Sequence, residues 1–223
     1  MTVIPALSRP FLKKADITCQ IADCGAMAIV RTTSFQRAEE IARGCLAGGI
    51  RVLEISCTNN NAPEIIAHLR KTFPDTLLVG AGTVLDGETA RQVILKDAQF
   101  VIAPNLSKSC ARVCSRYQIP YMPGCTSVTE AVQALELGAA FVKAFPISDF
   151  YGPKLVSVFK TPIPDMPLLA SGGITLDNLA DYIRRGCDIC GFGGLLTKGS
   201  EAEIAASARA IREIIDRTRQ QNS

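Results

Sequence analysis

The sequence predicts an α/β chain closed into a (β/α)8 barrel behind one N-terminal helix. Three observations lead there: eight short apolar runs, the even distance between them, and a helical pattern in the intervals. The runs begin near Met27, Arg51, Leu77, Ala98, Ile119, Ala140, Leu168 and Asp188, at spacings of 24, 26, 21, 21, 21, 28 and 20 residues. Each is rich in Val, Ile, Leu, Phe or Ala, the composition of strands buried on both faces. Alternation of such strands with helices implies a parallel sheet. Two layouts satisfy it, an open doubly wound sheet and a closed barrel. Eight units of similar length favour closure, which removes both sheet edges.

The elements follow in order. Phe11, Leu12, Ile17, Ile21 and Ala22 mark a helix leading into the first strand. Thr33 and Gln36 form a capping box for a helix that carries Ala38, Ile41, Ala42, Cys45 and Leu46 and ends at Gly48-Gly49. Asn61 caps the next, with Pro63 in its first turn. Asp86 or Gly87 opens the third and Ser107 the fourth. Ser127 and Glu130 make a second box, closed by Gly138, and Thr175 opens a helix that stops at Gly186. A last helix, about 202–219, places Ile204, Ala208, Ile211 and Ile215 on one side. The expected organisation is one domain over residues 1–223: a helical lead at 1–25, a barrel core at 26–199 and a C-terminal helix at 200–223.

Composition narrows the function. The chain is 48% hydrophobic and 20% charged, so it can build a core. Its 24 basic against 21 acidic residues, with no basic cluster, make no case for nucleic acid or an anionic membrane as partner. No apolar run approaches the ~18–20 residues of a membrane span. The first residues show no basic segment running into an apolar one, so no export signal is read and a cytoplasmic location is expected. The nine cysteines then read as reduced thiols buried as small apolar groups. Cys187 and Cys190, read as lying on one strand, should point to opposite sides of it. Cys110 and Cys114 share a helix face. With one histidine, His68, no metal site is expected.

Barrel chemistry sits at the C-terminal ends of the strands. There, alternation puts Phe141, Lys143 and Phe145 on one face of the sixth strand. Burial of a lysine is costly and favours its neutral amine, a nucleophile able to condense with a ketone. The competing reading is a lysine that snorkels to solvent. Glu54 shares the inward face of the second strand with Val52 and Ser56. A carboxylate there serves proton transfer, or pairs with Lys143, or both. Ser171-Gly-Gly-Ile ends the seventh strand and Gly191-Phe-Gly-Gly the eighth, where this fold commonly cradles a phosphate; the alternative is a pair of tight turns. Thr83 lies in Gly80-Ala-Gly-Thr, and Arg31 closes the first strand with a fork suited to a carboxylate or to a surface ion pair.

Together Val52-Leu-Glu-Ile, Val79-Gly-Ala-Gly-Thr-Val, Phe100-Val-Ile-Ala-Pro, Tyr121-Met-Pro-Gly, Phe141-Val-Lys-Ala-Phe-Pro and Ser171-Gly-Gly-Ile resemble the KDPG/KHG aldolases. These are the 2-keto-3-deoxy-6-phosphogluconate and 4-hydroxy-2-oxoglutarate aldolases, and the pieces stand in the family's order over roughly residues 26–199. The resemblance implies a class I, metal-independent lyase on a TIM barrel, usually a homotrimer, with no cofactor beyond a Schiff base to the substrate. By it, Lys143 is the Schiff-base lysine and Glu54 the general acid/base. Arg31 and Thr83 contact the pyruvate end, with Thr58 and Ser171 among the substrate contacts. Pro104 and Phe145 line the pocket, and Gly172, Gly173, Gly193 and Gly194 hold a distal phosphate. Three positions depart from the common pattern: Thr58 stands where many members have arginine, Ser171 where threonine is frequent, and Gly194 where serine is frequent.

The implied reaction is cleavage of a 2-keto-3-deoxy-6-phospho sugar acid, as in an Entner–Doudoroff route, or of 4-hydroxy-2-oxoglutarate. The products are pyruvate and an aldehyde, glyceraldehyde 3-phosphate or glyoxylate. Alternatives are a 2-keto-3-deoxy-6-phosphogalactonate aldolase, a phosphosugar isomerase or epimerase using Glu54 alone, and a non-catalytic phospho-ligand-binding barrel.

Overall fold

The computed structural model describes residues 12–146 and 148–222. Phe11, assigned above to the lead helix, lies outside them. Helix α1 (Lys13–Cys24) buries Ile17 and Ile21 and passes through Gly25 into the sheet. Nine parallel segments follow: β1 (Ala26–Val30), β2 (Val52–Ser56), β3 (Leu78–Gly82), β4 (Val101–Ile102), β5 (Tyr121–Met122), β6 (Gly124–Cys125), β7 (Val142–Ala144), β8 (Leu168–Ser171) and β9 (Ile189–Phe192). Their order in space is β5-β4-β3-β2-β1-β9-β8-β7-β6.

The two ends of that order are neighbours in sequence. β5 and β6 flank Pro123, which has no N–H for the ladder and so divides the predicted fifth strand. The Pro123 carbonyl still accepts from Lys143 N at 2.8 Å, and the Tyr121 carbonyl from Ala140 N at 2.8 Å. The ring therefore closes through one interrupted strand, and the structure is the predicted barrel with its fifth strand in two pieces. The seventh and eighth predicted strands are β8 and β9.

The helices between strands are α2 (Phe35–Ala47), α3 (Ala62–Thr72), α4 (Gly87–Leu95), α5 (Lys108–Arg116), α6 (Val128–Glu136), α7 (Ser148–Tyr151), α8 (Lys154–Lys160), α9 (Leu179–Arg184) and α10 (Gly194–Thr197); α11 (Glu201–Asn222) ends the described chain. Asp86 and Ser107 cap α4 and α5 through their side chains, and Ser127 with Glu130 makes a full box on α6. Two caps move. Ser34, not Thr33, accepts from Arg37 N, because Ser34 takes the extended conformation a cap requires. Asn178, not Thr175, stands at the cap of α9, and its Oδ1 instead accepts from Thr175 N at 2.8 Å in the preceding turn.

Ile204, Ala208, Ile211 and Ile215 of α11 are buried as expected. Its arginines also tie it to the barrel floor. Arg219 donates to the carbonyls of Ala22, Asp23 and Asp188, and Arg212 to those of Asp23 and Cys24. These include the carbonyls left over at the end of α1, where a cation is doubly favourable.

All nine cysteines are free; seven are buried, Cys57 is half-buried and Cys19 is exposed. One expectation fails. The Cys187 and Cys190 sulfurs lie 3.9 Å apart rather than diverging. Only Cys190 belongs to β9, so strand alternation does not reach Cys187, whose thiol donates to the Ile189 carbonyl at 3.2 Å. Their contact, with burial second, pushes the Cys190 thiol well above its ordinary range. Burial, then the negative charge of Glu54, pushes Cys57 up to about 11, and burial pushes Cys125 up to about 12. Titration of the native protein with an aromatic disulfide near pH 8 is therefore expected to modify Cys19 first. Cys57 should follow slowly, at a rate that climbs until the pH nears 11. Rapid Cys57 labelling at pH 8, read by peptide mass spectrometry, would contradict this.

Candidate active site

Register brings the chemistry together. Glu54 pairs laterally with Ile29 of β1 and Gly80 of β3, and Ser56 with Gly82. Lys143 pairs with Gly124 of β6 and Leu169 of β8. Arg31, Thr83 and Pro104 follow the ends of β1, β3 and β4 within two residues, and Phe145 directly follows β7. Ser171 is the last residue of β8, with Gly172 and Gly173 after it; Gly193 and Gly194 follow β9. Glu54 and Lys143 thus stand at the middle of β2 and β7, and the other candidate site residues stand at a strand's C-terminal end or just beyond it, all toward one end of the barrel.

Glu54 is 2% exposed and Lys143 is 6% exposed. Among the described residues neither takes part in an ion pair, so the mutual pairing considered above is absent. Lys143 Nζ instead sits over the Phe145 ring, 4.8 Å from its centroid. The snorkelling alternative also fails, because a nearly buried lysine does not reach bulk water. Glu54 Oε2 is buried with no hydrogen-bond partner. An unsatisfied buried carboxylate oxygen costs about 1–3 kcal/mol or more, a cost that folds retain at sites with a function.

The glycines of β3 make room for this. A Cβ on Gly82 would stand 1.7 Å from Glu54 Oε1 and 2.2 Å from its Cδ. A Cβ on Gly80 would stand 2.3 Å from the Phe100 ring. Gly82 therefore gives up its side-chain volume to the Glu54 carboxylate, and Gly80 gives up its own to the aromatic ring.

At the mouth, Ser56 Oγ lies 3.1 Å from Thr58 Oγ1 and 3.0 Å from Thr83 Oγ1. Thr83 has φ +58°, a left-handed conformation that a β-branched residue rarely adopts. Arg31 is exposed and, among the described residues, makes no ion pair. Gly172 and Gly173 have φ +94° and +65°, which only glycine takes without strain. The carbonyls of Gly173 and Gly193 accept from Asn178 Nδ2 and Thr197 Oγ1, both at 2.9 Å. Space beside Gly193 is open, and Lys198 Nζ lies 3.9 Å from where a Gly194 Cβ would be. Ser56 and Lys198 are two participants to which the sequence assigned no role. Ser56 was visible on the inward face of β2, whereas Lys198 stands over Gly194 only because the helical turn α10 forms, with Lys198 N bonded to the Gly194 carbonyl at 3.0 Å.

A buried amine and a buried carboxylate with an unspent oxygen, flanked at one barrel end by an arginine, hydroxyls and glycine loops, suit acid/base chemistry on a small carbonyl compound. The comparisons agree. A 2-dehydro-3-deoxy-phosphogluconate aldolase of Treponema pallidum is 36% identical over 158 residues, 70% of this chain and 75% of that protein. A 2-dehydro-3-deoxy-6-phosphogalactonate aldolase of Escherichia coli is 33% identical over 174 residues, 75% of this chain and 84% of that protein. The solved structure of a KDPG aldolase from Legionella pneumophila, with pyruvate captured as a covalent carbinolamine, superposes with a TM-score of 0.76. It is 26% identical and covers 90% of this chain and 97% of that one. The family model described as KDPG and KHG aldolase matches residues 17–211, so the chain that builds this barrel belongs to the KDPG and KHG aldolase family and is a lyase of the aldolase class.

Proposed function

We propose that Lys143 and Glu54 cleave a 2-keto-3-deoxy-6-phospho sugar acid through a Schiff base. The observation that carries the assignment is the pair itself: an amine and a carboxylate, both buried toward the barrel mouth and, among the described residues, spent on no ion pair. The carbinolamine captured in the Legionella relative supports it. The Lys143 amine adds to the C2 ketone, and loss of water gives an iminium. Glu54 takes the C4 hydroxyl proton, the C3–C4 bond breaks, and its electron pair flows into the iminium as the aldehyde leaves. The resulting enamine takes a proton at C3, and water hydrolyses the pyruvyl iminium to pyruvate and free lysine. The iminium is the electron sink, so the reading calls on no metal or cofactor. The isomerase and binding-protein alternatives leave the buried, unpaired Lys143 without a purpose.

Arg31 and Thr83 hold the keto-acid carboxylate in this reading, with Thr58 and Ser171 beside them and Pro104 and Phe145 as walls. The loops at Gly172, Gly173, Gly193 and Gly194 receive the phosphate, and the Lys198 ammonium over Gly194 adds charge where the family's serine is missing. Residues 1–223 act as one barrel domain. The nine free thiols support a reducing, cytoplasmic setting; no helix among the described residues is long and apolar enough to cross a membrane. Self-association, as the homotrimer that the family resemblance implies, is supported by exposed apolar side chains on α6, α7 and α8, where Phe150 is 82% exposed and Val132, Tyr151 and Val158 are also exposed.

Borohydride with pyruvate is expected to modify Lys143, identified by peptide mass spectrometry; active enzyme with an unmodified Lys143 would sink the assignment. Lys143→Met should abolish trapping and pyruvate release; isomerase or epimerase activity kept in that variant and lost in Glu54→Gln would restore the isomerase reading. Glu54→Gln should lower kcat by roughly 10²–10⁴-fold, the usual weight of a general acid/base. Gly82→Ala should lower kcat by about 10²-fold, because even ~1 Å displacement of a catalytic group has that effect. Lys198→Met should raise KM about tenfold, roughly 1.4 kcal/mol, for phosphorylated substrates and leave unphosphorylated ones unchanged. Pyruvate release from both C4 epimers, with and without phosphate, reads this directly.

A further inference from the structure

We propose that Ser56, which touches none of the reacting atoms, is the positioning residue that aims the carboxylate-binding hydroxyl of Thr83. The inference rests on the aldolase reading above and adds a component to it.

Three hydroxyls, Thr58, Ser56 and Thr83, form a chain through two hydrogen bonds of 3.1 and 3.0 Å, and none has another partner among the described residues. Each hydroxyl carries one proton. Two protons are used inside the chain, so one is left to donate outward. Ser56 is 0% exposed. If the spare proton were its own, a buried donor would be left without an acceptor, which proteins avoid. The bonds therefore run in one direction through Ser56, and the spare proton lies on Thr83 or on Thr58. A carboxylate is an acceptor only. Its arrival at Thr83 selects the order Thr58 to Ser56 to Thr83 to carboxylate, in which each bond polarises the next.

The backbone strain points to the same residue. Thr83 keeps φ +58° although its branched side chain disfavours it. The main chain around it is pinned by Cys57 N to the Gly82 carbonyl at 2.8 Å and Val84 N to the Ile102 carbonyl at 3.1 Å. Those bonds fix the turn and say nothing about where the Thr83 hydroxyl points. Ser56 supplies that, from a strand position two residues beyond Glu54 on the same inward face. In this chain no arginine stands at position 58, so direction comes from the neutral hydroxyl chain and charge from Arg31 at the rim.

The test compares wild type, Ser56→Ala, Ser56→Cys, Thr58→Val and the Ser56→Ala/Thr58→Val double variant. Readouts are kcat and KM for pyruvate release, the pyruvate concentration that half-saturates borohydride trapping, and the melting temperature. Ser56→Ala and the similarly sized Ser56→Cys are each expected to raise KM and half-saturating pyruvate about tenfold, a loss of roughly 1.4 kcal/mol, with kcat within threefold and melting little changed. Thr58→Val is expected to raise KM about threefold. Because Thr58 reaches Thr83 through Ser56, the effects should couple, and the double variant should fall short of the product of the two single effects. Unchanged KM in both Ser56 variants, additive effects in the double variant, or kcat falling as far as KM rises would overturn the positioning role. A wild type that pyruvate and borohydride leave unmodified would instead overturn the Schiff-base reading beneath it.

Discussion

A parallel sheet made of two- to five-residue strands cannot satisfy its edges by length, so everything here depends on the ring closing. Closure occurs at the weakest strand. Pro123 removes one donor from the ladder, yet its carbonyl and those of Tyr121 and Cys125 still receive hydrogen bonds from the segment containing β7. That places Lys143 on the strand that completes the circle, with the split strand on one side and β8 on the other. Because all strands run the same way, their C-terminal ends meet at one rim, and residues more than a hundred positions apart in sequence become neighbours.

Inside the ring, volume is the limiting quantity. Glu54 and Lys143 are polar, ionisable side chains in a space built for Val, Ile and Leu, and they fit because neighbouring positions are small. Gly82 yields to the Glu54 carboxylate and Gly80 to the Phe100 ring. The site is thus made as much by the side chains missing from β3 as by those present on β2 and β7. An ion pair between Glu54 and Lys143 would have tied each group to the other. Its absence leaves both groups available to a substrate.

Much of this was legible in the sequence. Two-face burial of short strands writes itself as apolar runs, and a charged residue within such a run, at 54 or 143, stands out by contrast. Helix caps were legible where a side chain takes the cap itself, as at Asp86, Ser107 and Ser127. At Thr33 and Thr175 two neighbouring polar residues compete, and backbone conformation decides between them. The Cys187–Cys190 contact was hidden because strand alternation was extended over a residue that precedes the strand. Lys198 was hidden because the single helical turn α10, which brings it over Gly194 four residues earlier, is too short to show a periodic pattern. Ser56 was seen on the correct face, but a serine there looks like filler until its two threonine partners are known.

The interlock of Gly82 with Glu54 also defines how this barrel tolerates change. A residue at position 82 and one at position 54 occupy the same few cubic ångströms, so they form a single unit of variation spread over two strands. Libraries that diversify either position alone will sample mostly collisions or voids. Reshaping this part of the pocket for another substrate requires joint codon choices at both, with each enlargement on β3 matched by a contraction on β2.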